Sequence, residues 1–490
     1  MFKKQTLFII KLLVVPLLLA TGYLATHQDD VSKTLNEDRI QPLAENPYYW
    51  QYKDEPVFLI GGSWQDNLFN HPTNLEEHFD VMQSVGGNYV RNVMSHRNVG
   101  NVFAYEQDVD SLFDLDRWND EYWNRFEHFL ELTYNRDIIV QLEIWATWDL
   151  YEDHQSLGGW SFNPFNPENN ITYSVEDSGM PSLIDYAPQT NPTDHPFFRT
   201  VTELENNELI LRYQREYVDK ILSYSLNYPH VLYTMNNETG EQVEWGDFWA
   251  DYVRDRAKEA GTTIEITDMR RNEDIRSEDH AHILGQPERY TFLDISQNNA
   301  WSGLGKQHYK NILYIRERIS DHPRPINNNK NYGAARHGEE ESVARMGRIL
   351  FGGAASARFH RPHPYEDPEY MEAKSDFGMG LSPRAQKIIQ SISKVTEVLA
   401  FERTEPRSDL LHSDDEVYLL TEPGIQYAVY FPYGGSAVID MGNSRGDFHY
   451  RWIHLDEGEW GNSGKLSASE QTEITTPDSG HWMIVIKDEF

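Results

Sequence analysis

Eight times between Val57 and Phe359 a short apolar run stops at a group of polar side chains, and an amphipathic stretch carries the chain onward. Strands alternating with helices in this way build a parallel sheet, because a parallel neighbour is reached only through a crossover. Val57–Ile60 leads into Gly61-Gly62-Ser63-Trp64, and Asn88–Val93, with Arg91 inside it, leads into Ser95, His96 and Arg97. Asp137–Ile144 carries Glu143 and runs on to Trp145 and Trp148, while Val231–Met235 stops at Asn236, Asn237 and Glu238. Thr262–Thr267 precedes Asp268, Arg270 and Arg271, and Phe292–Ile295 precedes Ser296, Gln297 and Asn298. Pro325–Asn327 precedes Asn328, Asn329, Lys330 and Tyr332, and Ala354–Phe359 precedes His360, Arg361 and His363. Helices are expected at Trp123–Leu132, Leu209–Leu226, Tyr252–Ala260 and Glu339–Phe351. Eight units predict an α/β fold, a (β/α)8 TIM barrel over residues 45–402, whose polar strand ends form the active rim.

Residues 151–200 interrupt this rhythm. They are rich in Asn, Pro, Gly and aromatics, among them Trp160, Phe162, Phe165, Tyr173, Tyr186, Phe197 and Phe198. A loop of that length in a compact domain is usually functional, so an ordered lid beside the third strand is expected. From about Arg403 the pattern becomes short alternating runs: Val417–Thr421, Gln426–Phe431, Ala437–Asp440, Tyr450–His454 and His481–Ile486. These predict a small antiparallel β-sandwich over 403–490.

The N-terminus has Lys3, Lys4 and Lys11 around an apolar Leu12–Leu19 and then Ala20-Thr21-Gly22. That order predicts an export signal over 1–25 and a linker over 26–44, hence a secreted or periplasmic protein. An uncleaved anchor is the alternative. Lys+Arg number 43 against Asp+Glu 78, a formal charge of −35, which argues against a nucleic-acid or anionic-membrane partner. An oligosaccharide is the expected partner, since aromatic faces suit sugar C–H surfaces. The chain has no cysteine, so disulfides, thiolate metal sites and cysteine catalysis are excluded. No ligand spacing of the HExxH kind occurs, and neither metal nor cofactor is expected.

Four segments together carry a family likeness: Gly61-Gly62-Ser63-Trp64, Asn237-Glu238, FHRP at 359–362 and PDSGHWMIVIK at 477–487. The chain from residue 45 onward resembles clan A-like (β/α)8 glycosidases that carry a C-terminal collagen-binding-type β-domain. The resemblance implies that Glu238 is the general acid/base. It also implies a nucleophilic Glu after the seventh strand, where this sequence reads Pro325-Ile326-Asn327-Asn328-Asn329-Lys330. Lys330 stands at the position of that Glu.

A lysine cannot replace the carboxylate nucleophile of a retaining glycosidase or the carboxylate base of an inverting one. The preferred expectation is therefore elimination next to a uronate carboxylate, by a dehydratase or lyase, with Lys330 as base and Glu238 or Tyr332 as proton donor. Arg271, His360 and Arg361 would stabilise the developing charge. The alternatives are a glycoside hydrolase with a relocated carboxylate (Glu143, Asp268 or Asp294) and an inactive sugar-binding barrel. Catalytic candidates are thus Glu238, Lys330, Tyr332 and His360. Substrate-binding candidates are Trp64, Arg91, His96, Arg97, Glu143, Trp148, Asn237, Arg271, Asn298 and Arg361.

Overall fold

The computed structural model describes residues 38–71, 74–96, 98, 100–150, 159–184, 195–299, 303–332, 337–362, 378–442, 444 and 446–490. The expected export signal, most of the linker, Arg97, His363, Tyr186 and the side chain of Trp148 lie outside the described residues. Among those described, no helix is long and apolar enough to cross a membrane.

Among the described residues eight strands pair in parallel: β1 Leu59–Gly62, β2 Tyr89–Val93, β3 Ile139–Trp145, β4 Val231–Asn236, β5 Ile266–Thr267, β6 Leu293–Asp294, β7 Ile326–Asn327 and β8 Ser356–Phe359. The second to fifth form one sheet in sequence order, β6 pairs with β7, and β8 pairs with β1. Backbone hydrogen bonds bridge these sheets: Asn88 N to Ile60 O at 2.9 Å, Thr291 N to Ile266 O at 2.9 Å, and Ala355 N to Ile326 O at 2.8 Å. Most expected strands begin one to four residues too early, and β5 is reduced to two residues. Gly61 and Gly62 belong to β1 itself, because a Cβ at Gly61 would collide with the carbonyl of Tyr89 on β2.

Each strand is followed by a helix: α1 Leu75–Ser84, α2 Asp120–Tyr134, α3 Glu208–Ser225, α4 Val243–Glu259, α5 Glu278–Leu284, α6 Lys306–Arg318, α7 Glu339–Phe351 and α8 Pro383–Val398. α3 shows why. Asn207 caps it by accepting from Ile210 N, and Ile210, Gln214, Val218, Ile221, Leu222 and Ser225 recur on one buried face. α8 starts at a Ser382 cap with Pro383 in its first turn. α4 begins well before the expected Tyr252, since Gln242 offers no capping bond to mark its start.

The space between the strands is unusually polar. Gln141 Nε2 donates to Asp294 Oδ2 at 2.6 Å and to Thr234 Oγ1 at 3.0 Å, while Trp50 Nε1 donates to Asn327 Oδ1 at 2.8 Å. Buried polar groups persist only when bonded to one another in this way.

The C-terminal region is antiparallel. A six-stranded sheet includes Tyr418–Glu422, Gln426–Phe431, Trp482–Lys487, Asp447–His454 and Trp460–Ser467, and a three-stranded sheet includes Ser436–Ile439 and Thr472–Thr475. Alternation divides the larger sheet: Leu420, Ala428, Tyr430, Met483 and Val485 join the main core, and Leu419, Val429, Phe431, Ile484 and Ile486 form a second one. Between 159 and 184, and again from 195, the long loop is anchored inward. Trp160, Phe165, Tyr173, Phe197 and Phe198 are buried, and only Phe162 of the described aromatics there is exposed. These rings belong to the core.

Candidate active site

β4 ends at Asn236, and the next two residues turn sharply. Asn237 N donates to Trp145 O at 3.0 Å, and Glu238 takes a left-handed backbone with φ of 57°. A non-glycine residue in that region is uncommon and marks a place where surrounding contacts override local preference. The contacts are specific. Lys330 Nζ donates to Glu238 Oε1 and to Asn237 Oδ1, each at 2.6 Å, and Tyr332 OH donates to Glu238 Oε1 at 2.8 Å.

The chain after β7 is held so that Lys330 must point inward. Asn328 N donates to Ser356 Oγ at 2.8 Å, and Asn331 N donates to Arg358 O at 2.8 Å. The Lys330 side chain is 1% exposed and that of Glu238 is 14% exposed. Burial pushes the Glu238 carboxyl up, but Lys330, Tyr332 and Arg91 outweigh it and hold the group well below the usual carboxylate range. Burial, with help from Arg91, pulls the Lys330 ammonium down despite Glu238 beside it. Burial and the Glu238 charge raise the Tyr332 phenol far above its ordinary value. The proton therefore rests on Tyr332 and the negative charge on Glu238.

A second cluster adjoins this one. Arg91 grips Glu143 with two bonds, Nε to Oε1 at 2.6 Å and Nη2 to Oε2 at 2.7 Å, and also binds Asp66. Arg361 Nε donates to the other oxygen of Asp66, and His360 Nδ1 lies 3.7 Å from that carboxylate. Asn329 Nδ2 donates to Glu143 Oε1 at 3.2 Å. The His360 ring packs against Tyr332 at 4.4 Å, which joins the two clusters. Burial lowers His360 well below the ordinary histidine range, with Asp66 opposing and Arg361, Arg91 and Arg358 reinforcing, so the ring is neutral.

The expected site residues separate into groups. Glu238, Asn237, Lys330, Tyr332, His360 and Arg361 come together. Arg91 and Glu143 are also there, but they are 1% and 0% exposed and hold each other, so neither is a substrate contact. Asn298 is buried elsewhere: its Nδ2 donates to His308 O at 3.2 Å and its Oδ1 accepts from Asn311 at 2.7 Å, a structural role. His96 packs on Phe103 at 4.4 Å, and Trp64 lies edge-on to His78 at 5.0 Å. Arg271 is tied through its backbone N to Thr239 O at 2.9 Å.

The carboxylates considered as replacements for the Glu that the resemblance implies are also engaged. Asp294 accepts from Gln141 and from Ser296 N at 2.9 Å, and Asp268 Oδ1 accepts from Asn236 Nδ2 at 2.8 Å. Burial raises both. Asp66 was absent from the expected set, although it joins Arg91, Arg361 and His360. Its signal was its place just beyond Gly61-Gly62-Ser63-Trp64, at a strand end facing several cations.

No family model matches the sequence, and no curated protein matches it. Solved structures match in fold. A glycoside hydrolase family 5 protein from Bacteroides vulgatus aligns at 12% identity and a TM-score of 0.61, over 93% of this chain and 94% of that one. A structure named glycoside hydrolase aligns at 10% identity and 0.60, over 93% and 98%. A family 5 mannosidase from Rhizomucor miehei, solved with mannosyl-fructose, aligns at 11% identity and 0.51, over 75% and 99%. The chain is therefore a mixed α/β protein with a C-terminal antiparallel region whose structural neighbours are glycoside hydrolases, and at these identities the likeness is one of fold.

Proposed function

We propose that residues 45–402 form a (β/α)8 barrel, that 403–490 form a β-sandwich, and that the protein is an exported carbohydrate-active enzyme hydrolysing glycosides of anionic oligosaccharides. The observation that carries this reading is Glu238, held in a left-handed turn at a strand end between Lys330 and Tyr332. A carboxylate fixed in this way beside an amide is equipped to transfer a proton at a glycosidic oxygen. The fold of the neighbours favours hydrolysis over the elimination expected from the sequence alone. Fold does not dictate chemistry, however, and the site must carry the argument.

One observation keeps elimination as a second reading. Lys330, buried and beside Arg91, has a weakened hold on its proton, which suits a base that abstracts a proton next to a carboxylate. A panel of neutral and uronate-containing oligosaccharides, read by mass spectrometry, separates the two. Gain of water on cleavage, with Glu238→Gln inactive, supports hydrolysis. Unsaturated products formed without uptake of water overturn it in favour of elimination. Oligosaccharides retained unchanged would leave only binding.

A further inference from the structure

We infer that the cleft between α3 and α4 is a second carbohydrate site, where Arg215 holds a carboxylate- or sulfate-bearing sugar unit of an acidic polysaccharide. The inference rests on the proposed reading of the substrate as anionic, and it places binding outside the cluster around Glu238. The cleft has a volume of about 420 Å³, which suits a sugar unit, and Arg215 lines it beside Thr202, Asn206, Leu211 and Tyr252.

Arg215 differs from the arginines of the strand ends in having no partner. Its guanidinium lies 5.4 Å from the Phe248 ring and 5.7 Å from the Tyr252 ring, both on α4. Its Nε is buried there without a hydrogen bond, and no described residue forms an ion pair with the group. One turn further along α3, Asp219 is the carboxylate that a helix would offer it. That carboxylate is claimed from α4 instead. Arg256 donates from Nε to Oδ1 at 2.8 Å and from Nη2 to Oδ2 at 3.0 Å, and Tyr252 OH donates to Oδ1 at 2.9 Å. Two rings therefore fix the planar fork of Arg215 while its donors stay unused, so binding an anion costs little further side-chain entropy.

The ligand class follows from that fork, which matches two oxygens of a carboxylate or a sulfate at once. The carboxylates of the cleft oppose this less than their number suggests. Asp219 is paired with Arg256, and Glu216 lies 3.9 Å from Arg212, which leaves Glu208 in the exposed first turn of α3. On a chain of formal charge −35, a nearly balanced cleft is where a polyanion meets least repulsion. The hydroxyl of Thr202 and the amide of Asn206 suit the remaining oxygens of a sugar ring. Position adds a reason for a polymer. α3 crosses from the end of β3 to the start of β4, so its first turn stands at the strand-end side, where Glu238 lies. A long chain reaching Glu238 is held at a second point along its length, and a short oligosaccharide is not.

The test is affinity electrophoresis of the full-length protein through gels containing polygalacturonate, dextran sulfate or neutral dextran. At least one anionic polymer should retard the wild type and dextran should not, and the effective polymer tells carboxylate from sulfate. Arg215→Met keeps the stem on the rings and should weaken retention about ten- to a hundredfold, the loss of one charge-assisted pair. Thr202→Trp, an exposed change that narrows the cleft with Arg215 intact, should weaken it too. The inference thus stays open to failure even if Arg215→Met folds poorly. Glu238→Gln should be retarded like the wild type. Retention that survives both cleft variants overturns the inference, and if it falls in Glu238→Gln the anionic reading of the strand-end site stands. Equal retention by dextran, or none by any polymer, overturns the inference together with the anionic substrate.

Discussion

Two arginines of this protein are buried in the same manner and serve different ends. Arg91 lies between Glu143 and Asp66 at the strand ends, and Arg348 of α7 lies between Glu341 and Glu416 where the C-terminal sheet meets the helices. Burial opposes the charge of each, and the paired carboxylates outweigh it, so both hold their protons more firmly than a free arginine. Around Arg348 the network closes on itself. Glu341 also accepts from Arg345 at 3.3 Å, Gly305 N at 3.2 Å and Tyr433 OH at 3.2 Å. Arg91 differs in its neighbour, since its own partners Asp66 and Glu143 are buried more deeply still: beside them Glu238 stands at a strand end with Lys330 and Tyr332 on its Oε1. One network joins two parts of the fold. The other adjoins the candidate catalytic carboxylate.

The largest expected effect tests Glu238. Glu238→Gln should lower kcat by about 10²–10⁴ on any substrate the protein turns over, because a positioned acid or base contributes that much. An unchanged rate would show that the carboxylate beside Lys330 is not catalytic.

Next, Arg91→Met and Arg348→Met should each cost about 3–5 kcal/mol in urea unfolding, since each leaves one largely buried carboxylate, Glu143 or Glu416, without its arginine and weakens the hold on a second, Asp66 or Glu341. The two should part in activity. Arg348→Met is expected to keep kcat while folded, and Arg91→Met to lose it along with stability. Equal kcat losses would erase the distinction drawn here.

A smaller effect is expected for Glu143→Gln, which keeps the shape and one acceptor but weakens the grip of Arg91. A loss of about 1–3 kcal/mol should appear in the same unfolding assay.

A further test lies in pH. Burial pushes His78, His195 and His230 down to about 3, and it also lowers His481 at the C-terminal interface. A histidine whose folded value is lowered binds its proton only on unfolding. Stability should therefore fall as pH drops below the ordinary histidine range and go on falling toward pH 3. Glu238 acts over a lower window. Its folded carboxyl lies below its unfolded value, so its contribution is full above the unfolded value and disappears as pH falls further. Thermal unfolding recorded from pH 7 to 4 checks this, and a flat profile would contradict the buried neutral histidines.

Much of the scaffold was legible because it is local. The alternation of apolar runs and amphipathic stretches located all eight parallel strands, and α7 and Gln426–Phe431 match their expected limits. Trp460–Ser467 was missed because it is largely exposed and polar, so no alternation marks it. The inward packing of the long loop's aromatics was not legible, because composition does not say which way a ring faces. In the site, Glu238, Lys330 and Tyr332 were legible as strand-end residues, whereas Asp66 was overlooked and Arg91, Glu143 and Asn298 were given substrate roles they do not have.

The sequence by itself determined which residues stand at strand ends, that a lysine stands after the seventh strand, and that thiol chemistry is excluded. These are properties of short segments and composition. Only the tertiary structure decided the pairings: Lys330 with Glu238 across 92 positions, Arg91 with Glu143 across 52, and Arg361 with Asp66 across 295. Which cation meets which carboxylate depends on how strands far apart in sequence come to lie side by side. Whether a charged group is spent inside the protein or left for a substrate depends on burial, which a single strand cannot reveal.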